Sequence, residues 1–158
     1  MPPLRIILAI SDDGYIADAN GKIPWHISYD LKWFKMNTMN STIGMGRKTW
    51  DSLKHPLPNR HHIVLSRTDI YSSWSELEQC YFLKHFEKRM REENGWIIGG
   101  AAVAKQLARK GTIMVLTHIH TNVGEGIHMP LPPMKCLWKS KEMTRSGYSL
   151  HMTINKCI

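Results

Sequence analysis

Asp30 is the residue of this sequence with the clearest potential for acid–base chemistry. The sequence around it has the spacing of one apolar helix face, at Ile27, Leu31, Phe34 and Thr38. Asp30 borders that face. A carboxylate that borders such an apolar stripe is costly to bury unless a cation or a hydrogen-bond donor meets it. Position alone leaves a plainer alternative open, because an acid in the first turn of a helix also stabilises the helix dipole.

The segment before Asp30 determines how this helix begins. Pro24 has a restricted φ angle and biases Ile23 toward an extended conformation, so the chain enters the helix from a defined direction. Ser28 is predicted to cap the helix with its hydroxyl, because serine favours that position. The helix itself is predicted over residues 28–40.

Basic side chains follow the predicted ends of two strands. The residues at these junctions are Gly46, Arg47, Lys48, Ser66 and Arg67. Amides at a helix N-terminus beside cationic side chains form an anion site. At a third junction, Gly99-Gly100 let a phosphate approach the backbone. The pattern predicts a site for a ligand with several phosphates, while a plain strand-to-helix turn remains the alternative for the Gly46 region.

Apolar residues that surround Asp30 are predicted to lie opposite these cations, across a ligand-binding cleft. With the acid, this set comprises Ile7, Ala9, Asp30, Leu31 and Phe34. Arg60 is expected at its edge, where a guanidinium can form a forked pair of hydrogen bonds with a carboxylate. An apolar slot with one acid and a distal arginine predicts a flat heteroaromatic ligand with an anionic tail.

Short apolar runs alternate with helical patterns along the chain, which predicts an α/β fold with a mainly parallel sheet. Strands are predicted over residues 4–10, 42–45, 62–66, 80–83, 96–100 and 112–119. Further helices are predicted after Gly46 and over residues 85–93 and 101–109. Residues 11–23 are predicted to form a connection long enough to act as a lid. Alternation over residues 148–154, after Arg145-Ser146-Gly147, predicts a C-terminal antiparallel hairpin.

Composition limits the class of protein. A chain of 158 residues without a linker predicts one domain over residues 1–158. The longest apolar runs fall short of the roughly 18 residues that a membrane span needs, and the N-terminus lacks the apolar region of a signal peptide. The three cysteines are far apart and odd in number, so we expect a cytoplasmic protein with no disulfide framework and no metal site.

The net charge of +8 suits either a polyanionic small ligand or a nucleic acid. The sequence has no zinc finger, no aromatic RNA-binding motif and no basic region followed by heptads. Nucleic acid is therefore not the expected partner.

Six blocks of this sequence, in order, resemble the dihydrofolate reductase family. The first block comprises Pro24-Trp25, Asp30-Leu31 and Phe34-Lys35. The other five are residues 45–50, 56–60, 64–67, 97–100 and 116–119. The resemblance covers about residues 4–130. It implies a single-domain fold with a mainly parallel sheet and about four helices.

The resemblance also implies an activity. Enzymes of this family transfer a hydride from NADPH to the pteridine ring of 7,8-dihydrofolate and form 5,6,7,8-tetrahydrofolate, which supports one-carbon metabolism and thymidylate synthesis. By similarity, Asp30 would bind the pteridine and assist protonation, Thr117 would share its hydrogen bonds, and Trp25 would lie near a water route for the proton. The fold usually acts as a monomer, and antifolate inhibitors are expected ligands.

The same resemblance implies two sets of binding residues. The substrate set is Ile7, Ala9, Asp30, Leu31, Phe34, Lys35, Leu53, Arg60, Ile98 and Thr117. Within it, Phe34 would flank the ring and Arg60 would hold the glutamate carboxylate. The NADPH set is Ala9, Ile16, Gly46, Arg47, Lys48, Thr49, Leu65, Ser66, Arg67, Ile98, Gly99, Gly100, Ala101, Ala102 and Val103. Arg47 and Arg67 would lie near the 2′-phosphate.

Four positions depart from the family pattern. Ala17 replaces a usual glycine in the lid loop, and Ala104 stands where many members have a tyrosine near the nicotinamide. Ala102 replaces a basic residue of some members, and Glu125-Gly126-Ile127 replaces a Gly-Asp-Thr run that supports the lid. Altered lid closure is the expected consequence. Two alternatives stay open: a riboflavin-pathway reductase of the same fold, and a non-catalytic basic protein that binds folate or RNA.

Overall fold

The structure is a computed structural model that describes residues 1–72, 74 and 77–158. The strands are β1 Arg5–Ser11, β2 Tyr15–Ala17, β3 Thr42–Gly46, β4 His61–Leu65, β5 Leu77–Cys80, β6 Trp96–Gly99, β7 Ile113–Ile119, β8 Ile127–His128, β9 Met134–Lys139, β10 Met143–Arg145 and β11 Tyr148–Cys157. The helices are α1 Ser28–Thr38, α2 Arg47–Ser52, α3 Leu83–Glu92 and α4 Ala101–Leu107. None of the helices in the described ranges is long and apolar enough to cross a membrane.

Nine of the strands in the described part of the chain form one mixed sheet. Its order is β10-β11-β7-β1-β6-β3-β4-β5, and β9 also pairs with β11. The pairs from β5 across to β7 are parallel, and the three pairs that involve β11 are antiparallel. The predicted α/β fold, its mainly parallel sheet and its C-terminal hairpin are confirmed. The hairpin turns at Ser146 and Gly147, which both have positive φ angles, as a tight two-residue turn requires.

The sheet is covered on both faces because its central strands are apolar on both faces. Side chains of β1 alternate between two core clusters: Ile6, Leu8 and Ile10 pack with α3 and α4, whereas Ile7 packs with α1. At Gly44 of β3, a Cβ atom would lie 2.5 Å from Met90 Sδ and 2.8 Å from Phe86 Cζ of α3. Glycine there lets α3 approach the sheet closely.

Three details of α1 differ from the predictions. The residue at the N-cap is Ile27 rather than Ser28, and no side chain caps the helix. The helix ends at Thr38 rather than at residue 40, because Asn40 has a φ angle of 59° and its amide donates to the Asn59 carbonyl. Leu31 was predicted on the inward face but is 50% exposed, since it lines an open cleft instead of the core.

The strand predicted over residues 80–83 is wrong. Strand β5 ends at Cys80, which is fully buried and pairs with Leu65, and α3 already begins at Leu83. The apolar residues between them form a turn, and the Phe82 side chain is 75% exposed. Residues 11–23 also contain a strand, because β2 pairs with β8 in a separate two-stranded sheet.

Candidate active site

The Asp30 carboxyl and the Thr117 hydroxyl meet at the carboxyl end of the sheet. Thr117 lies on β7 beside Ala9 of β1, and α1 places Asp30 above them. Thr117 Oγ1 donates a 2.7 Å hydrogen bond to Asp30 Oδ1. Burial raises the pKa of the Asp30 carboxyl, and this hydrogen bond opposes the rise. The proximity of these two residues, 87 positions apart in sequence, follows the prediction.

An open cleft leads to this acid from the solvent. It is lined by Ile23, Pro24, Trp25, His26, Ile27, Asp30 and Leu31. Deeper in the molecule, Ile7, Phe34, Leu53 and Ile98 belong to one hydrophobic cluster. Ala9 belongs with Trp25 to a neighbouring cluster. Half of the predicted substrate set, five of ten residues, therefore lies in two apolar clusters.

Arg60 lies at the opposite edge of the sheet from Asp30, where β3 and β4 have their amino ends. It directly precedes β4, whose first residue pairs with Thr42, the first residue of β3. Helix α1 joins the two edges, because Asp30 is in its first turn and the residues after its C-terminus bond to Asn59. The helix from Asp30 to Thr38 extends about 12 Å at 1.5 Å per residue. The acid and the arginine therefore lie near the two ends of α1.

Three buried nitrogen atoms on or near α1 have no hydrogen-bond partner among the described residues: Trp33 Nε1 within the helix, and Arg60 Nε and Trp25 Nε1 on either side of it. Arg60 is only 7% exposed, and burial lowers the pKa of its guanidinium. Within the described ranges, no carboxylate contacts Arg60. Buried donors normally have acceptors, so these three nitrogens are the natural contact points for a polar ligand or for water.

Three glycines line the junctions where β3 and β6 lead into α2 and α4. A Cβ atom at Gly100 would lie 3.2 Å from Thr49 Oγ1, and one at Gly46 would lie 3.1 Å from Val103 Cγ2. Gly99 has a φ angle of 135°, which disfavours a side chain. No side chain caps α2 or α4. The first amides of these helices therefore have no side-chain acceptor, as an anion site at the paired glycines would require.

Arg47 is oriented by a network of hydrogen bonds that includes residues outside the predicted site. Its Nη1 donates to Ser66 Oγ at 3.3 Å and to Thr68 Oγ1 at 3.2 Å, which brings the ends of β3 and β4 together. Its Nε donates to Asp51 Oδ1 at 3.0 Å. Asp51 and Thr68 were not among the predicted site residues. The spacing of Arg47 and Asp51 on α2, four positions, was the signal for that ion pair.

The remaining predicted cofactor residues divide by exposure. Ile16, Leu65 and Val103 pack in one core cluster. Ala101 is half-buried at the start of α4. Lys48, Arg67 and Ala102 are exposed, as is Lys35 of the substrate set. The part of the chain that the structure describes shows no side-chain hydrogen bond for these three charged residues.

The β2–β8 pair brings the departures at Ala17 and Gly126 into contact. Ala17 is buried and pairs with Ile127. Gly126 has a φ angle of 144°, and a Cβ atom there would lie 2.2 Å from the Ala17 carbonyl oxygen. The effect of these departures on lid closure stays a prediction. Ala104, a residue of α4, is fully buried in the core.

Comparison with known proteins identifies the family. The profile described as "Dihydrofolate reductase" matches residues 3–150. A dihydrofolate reductase of Buchnera aphidicola from Schizaphis graminum is 35% identical over 87% of this chain and 84% of its own length. A second, from Buchnera aphidicola of Baizongia pistaciae, is 32% identical over 98% of each chain.

A solved structure shares the fold. It is the Enterococcus faecalis dihydrofolate reductase complexed with NADP(H) and RAB-propyl, with a TM-score of 0.82 and 25% identity over 98% of this chain and 95% of that one. The profile match, the curated relatives and the shared architecture agree with each other. The chain belongs to the dihydrofolate reductase family.

Proposed function

We propose that this protein reduces 7,8-dihydrofolate to 5,6,7,8-tetrahydrofolate with NADPH. The observation that carries the proposal is the Asp30 carboxyl, which lies in an apolar cleft and meets a hydroxyl instead of a cation. A structural acid in such surroundings would be expected to have a cationic partner. Family membership supports the same activity, since the curated relatives are named dihydrofolate reductases.

The residues from Asp30 along α1 to Arg60, together called the groove, suit the shape of the substrate. Thr117 donates to Asp30 Oδ1, which leaves Oδ2 available to a pteridine edge. Phe34, Ile7 and Ile98 would contact the faces of the ring, and Leu53 would contact the linking group. Arg60 Nε, buried and without a partner in the described residues, would donate to the glutamate carboxylate. Antifolates of similar shape are expected to bind the same groove.

The glycine junctions fit the dinucleotide. Gly46, Gly99 and Gly100 let the backbone at the two strand–helix junctions pack closely against Val103 and Thr49, and the uncapped amides of α2 and α4 would donate to phosphates there. Arg47 and Ser66, already joined by a hydrogen bond, are placed to hold the 2′-phosphate together with the exposed Arg67. The enzyme of Enterococcus faecalis was solved with NADP(H). When bound here, NADPH supplies the hydride, and the protein supplies position and electrostatics.

Asp30 would assist the proton transfer. Because burial raises the pKa of its carboxyl, a larger fraction of the carboxyl is protonated near neutral pH than in an exposed aspartate. A ring bound against Phe34 would exclude water and increase this effect. Trp25 Nε1, buried and unpartnered within the described ranges, would hold a water through which the proton reaches the ring.

The proposal extends to the state of the protein. We expect residues 1–158 to act as one reductase domain, as a monomer in the cytoplasm. The riboflavin-pathway reductase and the non-catalytic binder are not favoured, because the profile and the relatives point to dihydrofolate reductases.

The test is the loss of NADPH absorbance on addition of dihydrofolate. We expect turnover by the wild type, and a decrease of about 100-fold in kcat for Asp30→Asn, the usual size of a general acid's contribution. Asp69→Asn is the matched control, since Asp69 is an exposed acid that also accepts from a hydroxyl, that of Tyr81. Absence of turnover in the wild type would refute the function. Equal turnover in Asp30→Asn would refute the role of Asp30.

A further inference from the structure

Two histidines and a glutamate, none of which belongs to the proposed reductase site, converge on the outer part of the sheet. His120 directly follows β7, His151 lies on β11 and Glu142 directly precedes β10. These three strands are neighbours in the order β10-β11-β7. The two histidines are 31 positions apart in sequence and meet only because β7 pairs with β11.

The donor atoms of the three side chains face one point. His120 Nε2 lies 2.9 Å from His151 Nδ1 and 2.9 Å from Glu142 Oε1, and all three atoms lie within 4.8 Å of one another. Ligands of a tetrahedral zinc ion, with bonds of 2.0–2.1 Å, are separated by about 3.3 Å. Small side-chain rotations would therefore bring these atoms into coordination distance.

A fourth residue orients the first histidine. Asp12 Oδ1 lies 2.9 Å from His120 Nδ1, so the carboxylate accepts the proton of that nitrogen and leaves the lone pair of Nε2 for a cation. Ser149 Oγ, 3.4 Å from Glu142 Oε1, contacts the acid. The His151 ring stacks between His118 at 4.6 Å and His120 at 4.9 Å. A carboxylate behind a ligating histidine is the common outer shell of zinc sites.

The charges around the cluster also favour a cation. Asp12 and Glu142 contribute two carboxylates, and Lys139 contributes one positive charge near His151. Glu142 is 63% exposed and His120 26% exposed, so an ion and a water molecule can reach the site from solvent.

We propose that His120, His151 and Glu142 bind one zinc-like divalent transition-metal ion, with water as the fourth ligand. Two imidazoles and one carboxylate form a known zinc donor set, and harder ions such as Mg²⁺ prefer oxygen ligands. The bound ion joins β7, β10 and β11 and, through Asp12, the loop after β1. The site uses none of the residues that are assigned to the proposed reductase site.

The test is calorimetric titration of Zn²⁺ into the full chain, without an affinity tag and after treatment with a chelator. A Cys136→Ser background removes the exposed thiol, which is a competing zinc ligand. We expect one equivalent to bind. His120→Ala and His151→Ala each weaken binding at least about tenfold, and Asp12→Asn weakens it about tenfold through the outer shell. His85→Ala, at an exposed histidine of α3, leaves the affinity unchanged.

Zn²⁺ also raises the thermal midpoint of the wild type but not that of the His120 and His151 variants, because only the folded site binds the ion. Glu142→Gln keeps the test valid if a histidine variant fails to fold, since this exposed isosteric change leaves the core intact. Absence of saturable binding in the wild type would overturn the proposal. So would unchanged affinity in the His120, His151 and Glu142 variants.

Discussion

The reductase cleft and the surface of α3 use the same residue types in opposite ways. In the cleft, Asp30 and Arg60 lie at the two ends of α1, and neither has an ion-pair partner in the described residues. On α3, Arg89 contacts three carboxylates: Glu78 at 2.7 Å, Glu92 at 2.9 Å and Glu93 at 2.8 Å. The first region keeps its charges apart, and the second pairs them.

The protonation equilibria reflect this difference. Burial raises the pKa of Asp30 and lowers the pKa of Arg60, which means that the charged form is disfavoured in each. Hydrogen bonds between Arg89 and Glu78 lower the pKa of Glu78 and raise that of Arg89, so their charged forms are favoured. Folding alone accounts for the α3 network. The cleft charges lower the stability of the free protein and are explained by a ligand.

The largest expected effect is on substrate binding. We expect Arg60→Met to raise the KM for dihydrofolate by about 10- to 100-fold with a smaller change in kcat, because charge-assisted hydrogen bonds are worth about 1.5–3 kcal/mol. Steady-state kinetics measures this directly. Arg89→Met, the same substitution on α3, is the matched control and leaves the KM unchanged. An unchanged KM in Arg60→Met would remove the arginine from the substrate site.

For folding stability, we expect the larger effect from Arg89→Met and the smaller effect from Arg60→Met. Arg89→Met leaves Glu78 without its main partner and should lower the free energy of unfolding by about 1–2 kcal/mol, reduced by the partial exposure of these groups. Arg60→Met should leave that free energy unchanged or increase it. Urea denaturation of the two variants beside the wild type gives the comparison. Equal destabilisation by the two substitutions would mean that Arg60 is also structural.

A smaller effect is expected at Thr117. Thr117→Val removes the hydrogen bond that opposes the raised pKa of Asp30, so that pKa rises further. The lost hydrogen bond, worth about 1 kcal/mol, corresponds to about a fivefold decrease in kcat, measured at a pH at which Asp30 is protonated in both proteins. The reduction rate falls as pH rises through the pKa of Asp30, and in Thr117→Val this fall moves to higher pH. Thr117→Ser retains the hydroxyl and should keep the wild-type pH profile.

The smallest expected effect is the contribution of Asp30 to stability. The pKa of Asp30 in the folded state lies above the ordinary 3.8 of the unfolded state. Between these two pKa values the folded state binds more protons than the unfolded state, so the free energy of unfolding decreases as pH rises through that range. Asp30→Asn should therefore be more stable than the wild type at pH 7, by about 1 kcal/mol for each unit of raised pKa. The difference disappears below about pH 4.

Glu78→Gln provides the opposite case for the same measurement. The pKa of Glu78 lies below the ordinary 4.5, so its stabilising contribution is present above that pH and is lost as pH falls through the pKa of the folded state. Glu78→Gln should be less stable than the wild type at pH 7 and equal to it in acid. Unfolding curves at several pH values would show the two variants diverging in opposite directions. The same sign for both would contradict the distinction between the two regions.

Local features of the fold were predictable because they depend on neighbours in sequence. The continuous apolar run of β1 and the alternation in β11 indicated strands, and Gly46, Gly99 and Gly100 indicated close backbone approach. The failures also have local causes. Tyr81 and Phe82 have strong strand propensity, yet they form the turn before α3 because Cys80 completes the buried pairing with β4.

The sequence by itself determined the residue types of the site: an acid beside an apolar stripe, an arginine beyond it, and glycines at strand ends. Only the tertiary structure decided which side chains contact each of these polar groups. The β1–β7 register placed Thr117 beneath Asp30, and the β7–β11 pairing brought His120 to His151. Such contacts join residues far apart in the chain, and their energy depends on burial and on partner atoms, neither of which has a periodic signal in sequence.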